Sequence, residues 1–125
     1  MGNRDTANNN RRLGAHYEQL AADHLRQKGY RIISCNERTR YGEIDVIAQD
    51  KDTLVICEVK YRRHDMLDAL EAVDPRKQRQ VMRMAGHYLM KHHISEEVPV
   101  RFDVIAISGE GRLQHIENAF DQTLY

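Results

Sequence analysis

Asp45, Glu58 and Lys60 have the residue types and the spacing that metal-assisted chemistry on a phosphate ester requires. Carboxylate oxygens are ligands that Mg²⁺ prefers, and a lysine ammonium stabilises the charge that develops on a phosphoryl oxygen. The spacing also fits a second interpretation, in which the two acids face solvent and Glu43 forms an ordinary cross-strand ion pair with Lys60. The choice between these interpretations depends on how the chain brings the residues together.

A β-hairpin is predicted to place the two acids face to face. Residues 43–49 and 53–61 are rich in β-branched residues, and the polar turn at residues 50–52 separates them. If the last two residues of this turn form the loop, Asp45 lies opposite Glu58, with Cβ atoms roughly 4.5–5.5 Å apart. Glu43 then lies opposite Lys60, and a salt bridge between them is expected. Two opposed carboxylates repel each other, and a bound divalent cation would offset that repulsion.

The sheet face that carries Glu58 is otherwise apolar. Leu54 and Ile56 share this face, and Ile47 is predicted to lie opposite Ile56. We therefore expect the acids in a cleft rather than on an open surface. Lys60 follows Glu58 by two residues, so it should stand roughly 7 Å along the same face.

The elements around the hairpin predict an α/β fold. A first helix should end at Gly29, and a strand at residues 30–35 should follow it. Asp74-Pro75 is typical of a helix start, and this second helix should reach about Lys91. The residues expected on the apolar faces are Leu13, Tyr17, Leu20, Ala21 and Leu25 in the first helix, and Val81, Met84, Ala85, Tyr88 and Leu89 in the second.

The rest of the chain completes one domain. A short helix is predicted over residues 67–72, and further strands over residues 100–107 and 112–116. The order is then α-β-β-β-α-β-β, a central mixed sheet flanked by helices. Residues 1–12 are polar and lack periodicity, so we expect a flexible N-terminal arm ahead of a single domain at residues 13–125.

Composition favours a globular protein in a reducing compartment. The chain has 125 residues, of which 41% are hydrophobic and 30% charged, and its net charge is zero with neutral histidines. It has no apolar stretch long enough for a bilayer and no secretory signal at the N-terminus, so we expect a cytoplasmic protein with no membrane partner. Cys35 and Cys57 are expected to be free thiols. Zero net charge argues mildly against nucleic-acid binding, so the placement of the basic residues matters.

Basic residues are concentrated close to the acids and along the second helix. They are expected to contact the phosphates of DNA, although a charged helix stripe is often only a solvated face. Tyr41 and Tyr61 are the aromatic residues nearby that could stack on a base. The predicted nucleic-acid-binding residues are Arg62, Arg63, Arg76, Lys77, Arg79 and Arg83.

Five short motifs occur in an order that resembles a known family. They are Gly42-Glu43-Ile44-Asp45, Glu58-Val59-Lys60, Glu71-Ala72-Val73, Arg101-Phe102-Asp103-Val104 and Asn118-Ala119-Phe120. The first two resemble the PD-(D/E)XK pattern of restriction-endonuclease-like nucleases. The full set resembles the YraN family of small bacterial proteins, which is similar to archaeal Holliday-junction resolvases, and it covers the chain from about Leu13 onward. Ile44 departs from the pattern, because the motif's proline would precede the first acid.

The resemblance implies a restriction-endonuclease-like α-β-β-β-α-β core and a role for each residue of the site. Asp45 and Glu58, with the backbone carbonyl of Val59, would bind Mg²⁺ or Mn²⁺, and Lys60 matches the motif lysine. Glu18 matches an extra acid that resolvase-type members carry on the first helix, whereas without the family it reads as an exposed helix residue. The catalytic set is thus Glu18, Asp45, Glu58 and Lys60.

The implied function is that of a metal-dependent endonuclease that hydrolyses phosphodiester bonds in DNA, with branched or structured DNA as the expected substrate. A homodimer is expected by analogy, because a four-way junction has two strands to cut. Two alternatives remain open. The protein could be a nucleic-acid-binding module that keeps the fold without cleaving, or a scaffold whose acids only hold the fold together.

Overall fold

Five β-strands form one mixed sheet, and a helix packs on each of its faces. The computed structural model describes residues 2–62 and 73–120, with side chains from residue 13 onward. Neighbouring strands are antiparallel except the third and fourth, which are parallel. The predicted element order and the α/β nuclease-like core are confirmed. In chain order the elements are α1 (Gly2–Gln27), β1 (Arg31–Thr39), β2 (Gly42–Asp50), β3 (Thr53–Arg62), α2 (Pro75–Lys91), β4 (Val100–Ser108) and β5 (Leu113–Phe120).

Helix α1 ends where the glycine predicted its end. Gly29 has a φ of 91°, a left-handed conformation that glycine adopts without strain. The Tyr30 amide donates to the carbonyl of Leu25, and the Gly29 amide donates to that of Arg26. Tyr30 and Leu25 also pack in the same apolar cluster, which completes a Schellman motif. This cap sends the chain directly from α1 into β1.

The start of α1 differs from the sequence expectation. The helix begins at Gly2, whereas order was predicted to begin near Leu13. Once the later turns of a helix are stabilised by packing, each added residue gains one backbone hydrogen bond without a new nucleation cost. The division of the chain into an arm of residues 1–12 and a domain of residues 13–125 stays a prediction.

The face of α1 that packs on the sheet is narrower than its apolar pattern suggests. Ala21 and Leu25 are buried against β2, β3 and β4, and Tyr17 is partly buried beside them. Leu13 and Leu20, predicted to share this face, are 48% and 36% exposed. Tyr17, Ala21 and Leu25 form a row at steps of four that meets the sheet, whereas Leu13 lies one turn before this contact and Leu20 lies beside the row.

Helix α2 covers the opposite face of the sheet as predicted. Val81, Met84, Ala85 and Tyr88 are buried against β2 and β3, and Leu89 is partly buried. Asp74 caps the helix, since its side chain accepts a hydrogen bond of 3.0 Å from the amide of Lys77, and Pro75 is the first helical residue. The cap fixes where α2 begins, and with it the direction of the residues in its first turn.

Further sequence predictions concern the short helix, the two cysteines and membrane-spanning segments. The short helix predicted over residues 67–72 lies outside the described residues. Cys35 is exposed, Cys57 is buried, and both are free thiols as predicted. Within residues 2–62 and 73–120, no helix is long and apolar enough to cross a membrane.

Candidate active site

The predicted hairpin register is confirmed up to the edge of the acidic site. Strands β2 and β3 pair from Asp50↔Thr53 to Val46↔Cys57, with the loop at Lys51-Asp52 that the sequence predicted. Asp45 and Glu58 are the next residues along, one step beyond the last paired position. The two strands therefore separate where the acids begin, which leaves room between them that a continuous ladder would fill.

Asp45 is held by the backbone of the facing strand. The amide of Val59 donates a hydrogen bond of 2.8 Å to Oδ2 of Asp45, in place of a partner from the backbone ladder. Strand alternation is broken at this point, because Ile44 and Ile47 both pack in the core on the α2 side. Asn36 faces this break in β1 and has a φ of 57°. Irregular strand geometry of this kind re-aims a side chain next to many active sites.

Glu58 is a buried carboxylate whose two oxygens have different surroundings. Its side chain is 2% exposed, and its Oε2 lies 3.7 Å from Nζ of Lys60 and 3.5 Å from Nζ of Lys77. Among the described residues, Oε1 is buried without a hydrogen-bond partner. A buried carboxylate oxygen left in this state costs free energy unless a further ligand satisfies it.

The pKa values of Glu58 and Asp45 follow from this arrangement. Burial, and then repulsion from Asp45, raise the pKa of Glu58 to about 7, although Lys77 and Lys60 oppose the rise. Burial also raises the pKa of Asp45, while the Val59 amide and the two lysines lower it in part. Neighbouring carboxylates whose pKa values are raised are typical of functional sites.

Lys77 belongs to the acidic site, although the sequence analysis assigned it only to nucleic-acid binding. It is the third residue of α2, and its side chain reaches across to Glu58 from above the sheet. The Asp74-Pro75 signal predicts where α2 begins, but no local signal predicts which strand residue its first turn meets. Lys77 therefore becomes visible as a site residue only once α2 is packed on β3.

Glu18 lies close to the acidic site from the α1 side. It is partly buried, and its side chain hydrogen-bonds with Asn36. Burial raises the pKa of Glu18, as do the nearby carboxylates of Asp45 and Glu43. The structure thus brings the predicted fourth acid near Asp45, and its role stays a prediction.

The prediction that Glu43 pairs with Lys60 is wrong. Its described ion pair is with Arg38, at 3.8 Å, and Arg38 is its direct neighbour across β1. Lys60 instead lies against Glu58. The strands have separated before they reach this position, so Glu43 turns to the strand that still pairs with it.

The donor set fits a hard divalent cation. Asp45 and Glu58 supply two carboxylates, the unpartnered Oε1 of Glu58 is a ready ligand atom, and Mg²⁺ typically uses one or two carboxylates together with waters. No three His, Cys, Asp or Glu side chains in the described part of the chain form a cage that could hold a metal ion. A site of this composition would therefore complete its ligand shell with the Val59 carbonyl, waters or a phosphate oxygen.

The predicted nucleic-acid-binding residues occupy two regions. Arg62 ends β3, is exposed, and donates to the carbonyl of Tyr61. Arg76, Arg79 and Arg83 are exposed along α2 and line one cavity beside the β1–β2 turn. Arg63 lies outside the described residues.

A second charged cluster, missed by the sequence analysis, lies on the α1 side of the sheet. Asp103 is fully buried, and Nε and Nη2 of Arg101 donate to its two oxygens at 2.8 and 2.9 Å. His115 lies 2.7 Å from Asp103, and the amide of Asn118 also donates to it. The motif around Asp103 contributed to the family resemblance, but its spacing gives no hint of a partner on β5.

The fold and the site together define a small α/β protein with a nuclease-like core and a paired-carboxylate cluster at the end of a hairpin. The model of the Uncharacterised protein family UPF0102 matches residues 17–107, and the chain belongs to this family. The predicted membership of the YraN family is thereby confirmed.

Curated relatives support the assignment over nearly the whole chain. A UPF0102 protein of Alkaliphilus oremlandii is 45% identical, over 89% of this chain and 99% of the relative. One from Thermodesulfovibrio yellowstonii is 46% identical, over 86% of this chain and 95% of the relative. One from Coxiella burnetii is 36% identical, over 88% of this chain and 92% of the relative.

Replacing Glu58 with glutamine is expected to stabilise the metal-free protein at pH 8. The pKa of Glu58 is about 7 in the fold against an ordinary 4.5, so the unfolded chain loses this proton first as the pH rises. Stability contributed by this group is therefore present below pH 4.5 and is lost as the pH rises towards 7. Glu58→Gln should not show that loss, so its free energy of unfolding at pH 8 should exceed that of the unsubstituted protein by roughly 2–4 kcal/mol.

Urea unfolding in a chelating buffer at pH 5 and pH 8 measures this gain. Glu110→Gln is the matched control, because Glu110 is largely exposed in the β4–β5 turn. A Glu58→Gln protein that is less stable than the unsubstituted protein at pH 8 would show that the carboxylate stabilises the fold, contrary to the prediction.

Proposed function

We propose that this protein is a metal-dependent endonuclease that hydrolyses phosphodiester bonds in DNA, with branched or structured DNA as its substrate. The observation that carries the proposal is Glu58, buried beside Asp45, with two lysines at one oxygen and no hydrogen-bond partner among the described residues at the other. Burying Glu58 beside a second carboxylate that repels it costs stability, so this arrangement favours a chemical role over a structural one. The family's description assigns no activity, so the proposal depends on the site.

The residues that would hold the metal are Asp45, Glu58 and the backbone carbonyl of Val59. A bound Mg²⁺ or Mn²⁺ would supply a Lewis acid for the phosphate and a water of lowered pKa. The Val59 amide keeps Oδ2 of Asp45 in place, so the other oxygen of Asp45 is available as a ligand. Glu18 would support the site from α1, where it already lies near Asp45.

The two lysines are suited to the charge that builds on the phosphate. Hydrolysis forms a bond from a water oxygen to phosphorus and breaks one bridging P–O bond, and negative charge accumulates on the non-bridging oxygens. Lys60 and Lys77 are partly exposed at 21% and 27%, so their ammonium groups are accessible from solvent. They lie beside the carboxylate pair and would stabilise this charge as it forms.

The test is cleavage of labelled DNA by purified protein. Four-way junctions, flaps and linear duplexes of one sequence are incubated with Mg²⁺, with Mn²⁺ or with a chelator. We expect metal-dependent cleavage of the branched substrates. Asp45→Asn, purified in parallel, should lose that activity, which separates it from any contaminating nuclease.

Three results would contradict the proposal. Cleavage that survives unchanged in Asp45→Asn would remove the site from the reaction. Binding that weakens steeply with salt but leaves every substrate intact would favour a non-cleaving module, a reading that the exposed arginines of α2 also support. Absence of both cleavage and salt-dependent binding would favour a scaffold. The homodimer stays a prediction, which sedimentation of the protein with and without a junction would test.

A further inference from the structure

A cavity next to the acidic site combines an exposed aromatic ring with arginines. It has a volume of about 340 Å³ and lies between the β1–β2 turn and the first half of α2. This volume is within the range of pockets that bind small ligands. Its lining residues are Tyr41, Arg76, Arg79, Gln80 and Arg83.

The turn that carries Tyr41 is fixed against α2. Nε2 of Gln80 donates a hydrogen bond of 2.8 Å to the carbonyl of Tyr41. Gly42 has a φ of 132°, and a Cβ there would lie 3.0 Å from Nε2 of Gln80 and 3.3 Å from the sulfur of Met84. Only glycine permits this approach without strain, so the cavity is built into the fold and does not depend on a chance side-chain conformation.

The cavity's side chains suit a nucleotide. Tyr41 is 42% exposed. The guanidinium carbon of Arg40 lies 5.6 Å from the centre of its ring, and the centre of the His87 ring lies 6.4 Å away in an edge-to-face arrangement. Arg76 and Arg83 are exposed, and neither forms an ion pair within the described residues. Guanidinium groups bind phosphates with paired hydrogen bonds, and an exposed tyrosine face stacks on any base.

Within residues 2–62 and 73–120, no acidic residue lines the cavity. Two residues from the lining in the chain, Glu43 is paired with Arg38 on β1, and Asp74 accepts a hydrogen bond from the amide of Lys77. The described lining is therefore cationic and aromatic, apart from the neutral amide of Gln80. An anion with a flat ring satisfies that surface better than either a simple anion or an apolar group does.

Residues of the cavity are close in the chain to residues of the acidic site on both β2 and α2. Tyr41 precedes Asp45 by four residues of extended chain, about 13 Å. On α2, Arg76 at the cavity directly precedes Lys77 at Glu58. A DNA strand with a phosphate at the carboxylates would thus bring a nucleotide to Tyr41 within a few steps.

We propose that this cavity binds an unpaired nucleotide of the DNA substrate, with its base stacked on Tyr41 and its phosphates on Arg76, Arg79 and Arg83. A base inside a duplex has both faces stacked on its neighbours and cannot reach Tyr41. The cavity therefore selects DNA with a single-stranded segment beside the bond that is cut. This inference rests on the proposed function and specifies its substrate class.

Fluorescence anisotropy without cleavage tests the proposal. The probes are a flap with a single-stranded oligothymidine arm and a fully paired duplex of equal length, both in chelating buffer. We expect the protein to bind the flap roughly tenfold more tightly than the duplex, and Tyr41→Ala to lose that preference without weakening duplex binding. Tyr41→Phe should retain it, because the ring is kept. Met90→Ala, at an 80% exposed apolar residue on α2, is the control.

Each other outcome of the binding measurement overturns the inference. Equal weakening of flap and duplex by Tyr41→Ala would mean that the residue contributes to general DNA binding, and no weakening would mean that the base lies elsewhere. Thymidine monophosphate that binds as tightly as the flap would identify a mononucleotide site. A preference for flaps in a protein that cuts nothing would leave the cavity assignment standing while the proposed function fails. Cleavage by a protein that shows no preference for flaps would leave the proposed function standing while the cavity assignment fails.

Discussion

Lys60→Ala is expected to lower the rate constant for DNA cleavage by roughly 10²–10³-fold, the usual effect of removing one donor that stabilises transition-state charge. Lys60 lies 3.7 Å from Oε2 of Glu58 and is accessible from solvent, so its ammonium can meet a phosphate at the carboxylates. The carboxylates themselves remain in this variant. Single-turnover cleavage of a labelled flap at saturating protein measures the rate constant apart from DNA affinity.

Metal binding separates a chemical role of Lys60 from a structural one. Mg²⁺ should still raise the melting temperature of Lys60→Ala, because a ligand that binds only the folded state stabilises it. Lys91→Ala is the matched control, since Lys91 is an exposed lysine in the last turn of α2. A Lys60→Ala protein that cleaves at the normal rate, or a Lys91→Ala protein that is equally impaired, would contradict the assignment.

The features that the sequence predicts well are those set by local rules. The hairpin register from Asp50↔Thr53 to Val46↔Cys57 follows from the two-residue loop and from strand alternation. Gly29 at the end of α1 follows from the preference for glycine at a left-handed C′ position. These rules predict the register that leaves Asp45 and Glu58 one step beyond the last paired position.

The features that the sequence did not predict depend on contacts between distant elements. Lys77 joins the site because α2 packs over β3, and its partner Glu58 lies far away in the chain. The alternation of β2 fails at Asp45, where the strand leaves its partner and the carboxylate takes the Val59 amide instead. Neither event has a local signal, since both follow from where the helix and the strands meet.

The two buried carboxylates of the sheet differ in a way that helps to separate function from structure. Burial alone would raise the pKa of Asp103, yet hydrogen bonds from His115, Arg101 and the Asn118 amide lower it. Glu58 has a raised pKa and an unpartnered oxygen. A fully paired acid is expected to hold the fold, whereas an incompletely paired one is expected to bind a ligand.

Asp103→Asn is therefore expected to destabilise the protein by about 3–5 kcal/mol, the usual cost of removing one partner from a buried ion pair. Arg101 would lose the carboxylate that receives two of its donors, keeping Asp50 and Tyr30. The pKa of Asp103 is lowered in the fold, so its contribution to stability is complete above the ordinary value of 3.8. It is lost as the pH falls through the lowered pKa, so the variant should differ least from the unsubstituted protein in strong acid.

Urea unfolding at pH 7 and below pH 3 measures both the cost and its pH dependence. Asp52→Asn in the exposed β2–β3 loop is the matched control, and it should change stability little. Arg101→Met combined with Asp103→Asn should cost less than the sum of the two single changes, because both remove the same contacts. Additive costs, or a loss of less than about 1 kcal/mol from Asp103→Asn, would mean that the cluster does not hold β4 to β5. Cleavage by the folded fraction of Asp103→Asn should stay normal, since the cluster lies on the α1 face of the sheet and Glu58 faces α2.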